Sequence, residues 1–422
     1  MKLLVLTTRL FEQPRSGGEI CTARLLDGLR QAGHELVLAG RGDAAAAAGW
    51  AREVHSLGEV ELPFDEQPLP RRLRAVAGAL LARESITIHR QGGRRMASRV
   101  TPLLEGCDAV VVDHLQAWPW LGGQPDRPVM LVNHNVESDN YMRHSRAANR
   151  GCQGNPSTRP ATRFLMRREA HRLRALEFEA LEGAQAVACL SEGDAERLRA
   201  LAGLARRQVG ARLFVLPGYP MAPPLPPRVR AAGDRSGPGP DERPAIGLIG
   251  TWTWAPNRQG LRWLLDRVWP GVGERARLVL AGGGLEGLRL PPGTEVLGRV
   301  ADARQFYDAV DVIAVPSLTG SGVQEKAIEA IGTGLPVVAT SHALRGLLQA
   351  LPGRVHRADD AAAFAQALLA APRVQAAGDE AHDWTAGRRE AYAQALAEGV
   401  RALGREPGGG PALAFSCCTA AP

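Results

Sequence analysis

The chain has 422 residues, 45% of them apolar, with a formal net charge of +7. That length exceeds one ordinary core and fits two domains of about 200 residues each. The positive excess is scattered over single arginines instead of forming a basic block, which argues against nucleic acid and suits an anionic small molecule or a membrane surface.

From the N-terminus, residues 3–7 form a short apolar run behind a single Lys2, which reads as a first β-strand and not as a signal peptide. Arg15-Ser16-Gly17-Gly18-Glu19 then opens a helix over 20–32, where backbone amides can meet an anion. Strands follow at 35–39, 109–113 and 129–133, and the last leads into Asn133-His134-Asn135-Val136-Glu137-Ser138. Between them, 70–99 mixes Leu81, Ile86 and Ile88 with Arg71, Arg72, Arg74, Arg83, Arg90, Arg94 and Arg95. Such a region can rest on anionic lipid, although a solvated helix packed on its own domain is the preferred reading. A helix over 163–182 and strands at 186–190 and 213–216 complete the first half.

Residues 217–244 are rich in Pro, Gly, Arg and Asp without apolar period and read as a linker. The alternation then resumes with strands at 245–249, 277–281, 295–297, 310–315 and 335–340 and a helix over 385–403. The expected fold class is therefore α/β, with two Rossmann-like doubly wound domains facing an interdomain cleft at the carboxyl ends of their strands. The expected boundaries are 1–216, the linker 217–244, a second domain 245–380, a final helix 381–404 that crosses back to the first domain, and an unstructured tail 405–422. No segment approaches the roughly 20 apolar residues of a membrane span. Cys21, Cys107, Cys152, Cys189, Cys417 and Cys418 lack metal-ligand spacing, which suits a reduced cytoplasmic protein.

The densest chemistry lies in Gly320-Ser321-Gly322-Val323-Gln324-Glu325-Lys326-Ala327-Ile328-Glu329, between two strand-length apolar runs. A glycine loop opening a helix offers backbone amides and the helix dipole to phosphate oxygens. Lys326 adds a full positive charge, and Glu329, one turn later on the same face, can accept ribose hydroxyls. The pattern reads as a nucleotide-sugar cradle.

This segment resembles the donor-binding motif of GT-B glycosyltransferases, specifically family four (glycosyl transferases group 1). That family usually carries a Glu-x7-Glu pair; Glu329 matches the second member, while Ser321 stands at the first. The resemblance runs from Lys2 to about Leu403 and implies further roles. Gly17 and Gly18 match the first glycine loop, close to the diphosphate. His134 matches the His of a His-(Asp/Asn)-Val-Glu turn and is assigned to the transferred sugar as the catalytic residue, with Asp113 and His114 on the acceptor side. Many relatives place an Arg and then Lys-Gly after the first strand of the second domain; here Gln259-Gly260 takes the latter place, which leaves Arg258 and Lys326 as the diphosphate cations. Trp252 and Trp254 are assigned to acceptor stacking, with core filling as the alternative, and main-chain groups of Arg299 and Val300 to the base. The implied activity is retaining, metal-independent transfer of a sugar from a nucleoside-diphosphate-sugar, with UDP or GDP, to a hydroxyl of a lipid-linked, glycan, protein or small-molecule acceptor. A peripheral position at the inner face of the cell membrane is an accompanying expectation. A nucleotide-sugar epimerase on the same scaffold and a non-catalytic nucleotide-sugar-binding protein are the alternatives.

Overall fold

A computed structural model describes residues 1–62, 64, 66–147, 160–204, 211–226, 243–320, 322–347, 351–371 and 378–404. The expected tail at 405–422, the middle of the expected linker and Ser321 lie outside the described residues. The chain divides into two units, Met1–Leu216 with Ala393–Pro422 and Pro217–Tyr392.

In the first unit, seven parallel strands stand in the order β3-β2-β1-β4-β5-β6-β7. They are β1 (Lys2–Thr7), β2 (Glu35–Gly40), β3 (Glu53–Ser56), β4 (Ala109–Asp113), β5 (Val129–Asn133), β6 (Ala186–Cys189) and β7 (Arg212–Val215). The helices are α1 (Gly17–Gln31), α2 (Leu69–Leu81), α3 (Ile86–Arg90), α4 (Ala97–Val100), α5 (Glu137–Ala147), α6 (Pro160–Gly183) and α7 (Glu192–Leu204). All five residues of β4 and of β5 are buried, as continuous apolar runs in a sheet covered on both faces should be.

The second unit holds six parallel strands in the order β10-β9-β8-β11-β12-β13. These are β8 (Ala245–Ile249), β9 (Arg277–Ala281), β10 (Glu295–Gly298), β11 (Val312–Val315), β12 (Val337–Ala339) and β13 (Val355–Arg357). Its helices are α8 (Ala255–Trp263), α9 (Trp269–Val272), α10 (Ala303–Asp308), α11 (Glu325–Gly332), α12 (Ala361–Ala370) and the long α13 (Gly378–Leu403). Two apolar clusters fill the faces of the sheet, one around Trp252, Leu264 and Phe364, the other around Phe306, Ile313 and Ile331. α13 begins earlier than the expected 381, and its residues from Ala393 onward belong to the first unit. The described start of the expected linker is tied down: the Leu225 amide donates to the Thr333 carbonyl at 3.0 Å, and Tyr219 meets the Tyr392 ring edge-on at 5.2 Å. No helix among the described residues is long and apolar enough to cross a membrane.

Candidate functional site

Each sheet reverses its strand order once, between β1 and β4 in the first and between β8 and β11 in the second. In open parallel sheets, loops diverge at such a reversal and leave a crevice at the carboxyl ends of the strands.

At the first reversal, Asp113 ends β4 fully buried. One carboxylate oxygen accepts from the hydroxyls of Thr7, at the end of β1, and Thr22, on α1, at 3.0 and 2.6 Å. The other meets Nε2 of His134 at 2.7 Å. Burial works to raise the Asp113 pKa, but the charges of His114 and His134 and the hydrogen bonds outweigh it, so the carboxyl sits well below its ordinary value. An ionised carboxylate only accepts, which makes Nε2 of His134 the donor and leaves Nδ1 as the ring atom for another partner. The His114 ring stacks on His134, with centroids 3.5 Å apart and planes 20° from parallel. Burial, then the charge of His134, push the His114 pKa down to about 4, so it is neutral at pH 7. His114 reaches this position through a left-handed backbone, φ 77°, which costs a side-chain-bearing residue roughly 1–3 kcal/mol.

The two imidazoles and the carboxylate each offer a ligand atom within 4.8 Å of one another. A metal ion bonded at about 2.0–2.1 Å sits near the plane of each imidazole. Two nearly parallel rings 3.5 Å apart cannot both satisfy that, so the stacked rings as they stand do not share the geometry of one ligand set. Gly18, at the start of α1, lies against the pair: a β-carbon there would stand 3.6 Å from the His114 ring. The start of the adjacent helix α1 is secured by two bonds, with the N-cap Ser16 accepting from the Glu19 amide and Glu19 accepting from the Arg15 amide at 2.7 Å. Behind His134, buried Glu177 accepts from the Ser138 amide at 3.0 Å and from its hydroxyl, fixing the start of α5; burial pushes its carboxyl up to about 7.

At the second reversal, Lys326 lies in the first turn of α11, beyond β11, and its ammonium donates to the Asn257 side-chain carbonyl on α8, beyond β8, at 2.8 Å. That bond spans the point where the strand order reverses. Burial pushes the lysine down to about 8, and no carboxylate pairs with it among the described residues. Gln324, which precedes the helix, makes no side-chain bond to the first-turn amides. Gly320, with φ 118°, holds a turn that a side chain would strain. Glu329 accepts from the Met221 amide at 3.2 Å, and its charge, after burial, raises the neighbouring Tyr307 hydroxyl. Val323 is half-buried beside Gly322.

The remaining assigned residues divide. Arg258 spends its guanidinium on the carbonyls of Gly284 and Glu286, both at 3.0 Å, so it braces the loop after β9. Gly282 permits that loop to approach, since a β-carbon would fall 1.8 Å from the Gly250 carbonyl oxygen. Arg299 lies against Gly283, and Val300 packs on the core. Trp252 corrects the expectation of acceptor stacking: it is 2% exposed and its indole N–H donates to the Ala281 carbonyl at 3.0 Å, so it fills the core. Trp254 is 59% exposed at the start of α8. Sequence reasoning missed Thr7, Thr22, Asn257 and Arg345. Arg345 donates from Nε to the Gly322 carbonyl at 2.6 Å and adds a second cation to the glycine loop. Its place just beyond β12, at a strand's carboxyl end, was the available signal.

Residues 243–373 match the family model described as Glycosyl transferases group 1. The match is confined to the second unit and makes that part of the chain similar to group 1 glycosyltransferases. Its likeness to solved structures lies in the fold. HepE of Anabaena, in complex with UDP and glucose, superposes with a TM-score of 0.58 at 16% identity, over 95% of this chain and 99% of that one. WaaG, a glycosyltransferase involved in lipopolysaccharide biosynthesis, gives 0.55 at 13% identity, over 93% and 99%. The apo form of WaaB, a lipopolysaccharide outer core galactosyltransferase, gives 0.50 at 12%, over 95% and 99%. The chain thus has the GT-B fold, built on the two parallel sheets described above. No curated protein matches it in sequence.

Proposed function

We propose that this protein is a glycosyltransferase that binds a nucleoside-diphosphate-sugar at the second reversal point and transfers the sugar to an acceptor hydroxyl with retention, without a bound metal. The observation that carries the reading is Lys326, a largely buried ammonium whose side-chain partner is the neutral Asn257 amide. Such a charge is costly until an anion approaches, and a diphosphate beside uncapped helix amides is the anion that fits. Arg345, against the same loop, adds charge to stabilise the departing diphosphate. Glu329 accepts ribose hydroxyls while staying tied to Met221. The main chain at Arg299 and Val300 meets the base, and Gly320, Gly322 and Val323 line the phosphates.

His134, oriented by Asp113, uses Nδ1 toward the transferred sugar. The acceptor hydroxyl attacks on the face the diphosphate leaves, and a departing phosphate oxygen takes its proton. Gly17, Gly18, His114 and Trp254 belong to diphosphate and acceptor positioning. UDP complexes of HepE, which shares the fold, support uridine as the first base to try, with guanosine second. The enzyme is placed in the cytoplasm, where nucleotide sugars are made.

Calorimetric titration with UDP, GDP, ADP and dTDP tests this reading. One diphosphate is expected to bind, and Glu329→Ala to weaken it by roughly 1.5–3 kcal/mol, the worth of a charge-assisted hydrogen bond. Folded protein that takes up none of the four removes the proposal.

A further inference from the structure

Helix α2 presents its leucines outward. Leu69, Leu73 and Leu80 are 64%, 61% and 48% exposed, and Leu81 is 87% exposed. At 3.6 residues per turn, the first three fall within about 40° of one another around the axis, so they form one stripe. The opposite face explains the orientation. Ala79 is fully buried, and a β-carbon on Gly78 would stand 2.4 Å from Nε2 of His89 on α3. His89 is held at 3.0 Å by Glu84, while Arg168 of α6 donates to the carbonyls of Ala79 and Glu84 at 3.2 and 2.9 Å. Small residues thus dock the helix tightly from within, and the leucines have no place on the protein. The helix is therefore packed on its own unit through small residues, as the sequence suggested, with its leucines on the solvated face.

The charge pattern names the partner. Leu69 to Arg83 contains four arginines and no acidic residue. Arg72 lies over the Phe64 ring at 4.9 Å, while Arg71, Arg74 and Arg83 are exposed and have no carboxylate partner among the described residues. An exposed leucine stripe flanked by unpaired guanidinium groups matches an apolar layer bounded by negative head groups. We infer that the outer face of α2 is a docking surface for an anionic lipid bilayer, with Leu69, Leu73, Leu80 and Leu81 entering the acyl boundary and Arg71, Arg74 and Arg83 contacting lipid phosphates. This goes beyond the donor chemistry proposed above and involves none of its residues.

The test is flotation of the full chain with vesicles of phosphatidylcholine alone and of phosphatidylcholine mixed with phosphatidylglycerol. The expected result is flotation with the anionic vesicles only, weakening as salt rises. Leu73→Glu combined with Leu80→Glu should cut the bound fraction about tenfold or more, and Arg71→Gln combined with Arg74→Gln by a similar factor, since each surface arginine carries a several-fold share. Thermal melting by circular dichroism checks that both variants stay folded. Lys326→Met, remote in sequence and placed in the donor loop, should float like the parent, which separates this proposal from the previous one. A parent that stays unbound, or leucine and arginine variants that float undiminished, overturns it. So does a dimer in sedimentation that Leu73→Glu dissociates, because the leucines would then cover a second copy.

Discussion

At the reversal between β1 and β4 every charge has an internal partner: Asp113 accepts from Thr7, Thr22 and His134, and the neutral His114 stacks on the pair. At the reversal between β8 and β11 the charge is the Lys326 ammonium, held by one neutral amide. The same topology therefore carries two electrostatic designs. The first is complete in itself and serves to aim a ring; its strained His114 backbone is supported by surrounding bonds. The second is incomplete, and in the proposed reading a diphosphate completes it. Preorganised groups that hold their geometry without substrate need internal compensation, whereas a binding site keeps its charge uncompensated until the ligand arrives.

The sharpest way to break this contrast is Asp113→Ala. It strands two buried hydroxyls and an imidazole, so the folding free energy should fall by about 3–5 kcal/mol, as when one partner of a buried charged network is removed. Urea denaturation reads this directly. A midpoint within error of the parent would mean that the cluster contributes nothing to its unit, and the comparison would fail on that side.

Lys326→Met should do the reverse. Removing a buried charge that lacks a carboxylate relieves its desolvation, and the unliganded protein should gain about 1–3 kcal/mol while losing nucleotide affinity. The sign with pH follows from the lowered value. Between about 8 and the ordinary 10.5 the unfolded chain keeps a proton that the folded chain has released, so parent stability rises across that window. Nucleotide affinity should fall as pH rises through about 8, because the ammonium is lost. Stability unchanged by the substitution would place the lysine in ordinary solvent and erase the second half of the contrast.

Much of this was legible before the structure. β4, β5, β8 and β9 fall where the apolar runs lie, since a strand buried on both faces writes itself as uninterrupted Val, Leu, Ile and Ala. The strands that escaped are β3 and β13, four and three residues long. They close the outer edges of the two sheets, where burial is partial and the residues include His55 and His356, so no apolar run marks them. In the candidate sites, the residues with motif context fall together: His134 and Asp113 are in contact, and Lys326 and Glu329 share one short helix. The partners that decide their chemistry were not legible in the sequence. Thr22 bonds Asp113 from 91 positions away and Asn257 bonds Lys326 from 69, separations that no local pattern encodes. Trp252 failed for a related reason, because an aromatic in a ligand loop and an aromatic plugging a core look alike until burial is known.

The smallest effect probes whether the first cluster is as self-contained as its hydrogen bonds indicate. His114 is lowered from its ordinary 6.5 to about 4, so its contribution to stability is present above 6.5 and is lost as pH falls through 4. Glu177, which fixes the turn after His134, is raised from 4.5 to about 7, so its contribution is present below 4.5 and is lost as pH rises through 7. Across the shared window the two slopes oppose, and the parent should change little with pH. Glu177→Gln exposes the histidine slope, with stability falling toward acid; His114→Gln exposes the carboxylate slope, with stability falling toward neutrality. Each slope is bounded by about 1.4 kcal/mol per pH unit, the limit for one proton. Denaturant midpoints at three pH values inside the window resolve the two signs. If both variants sloped the same way, the groups would not be titrating independently, and the cluster at β1 and β4 would have to be treated as one macroscopic acid together with the α5 turn.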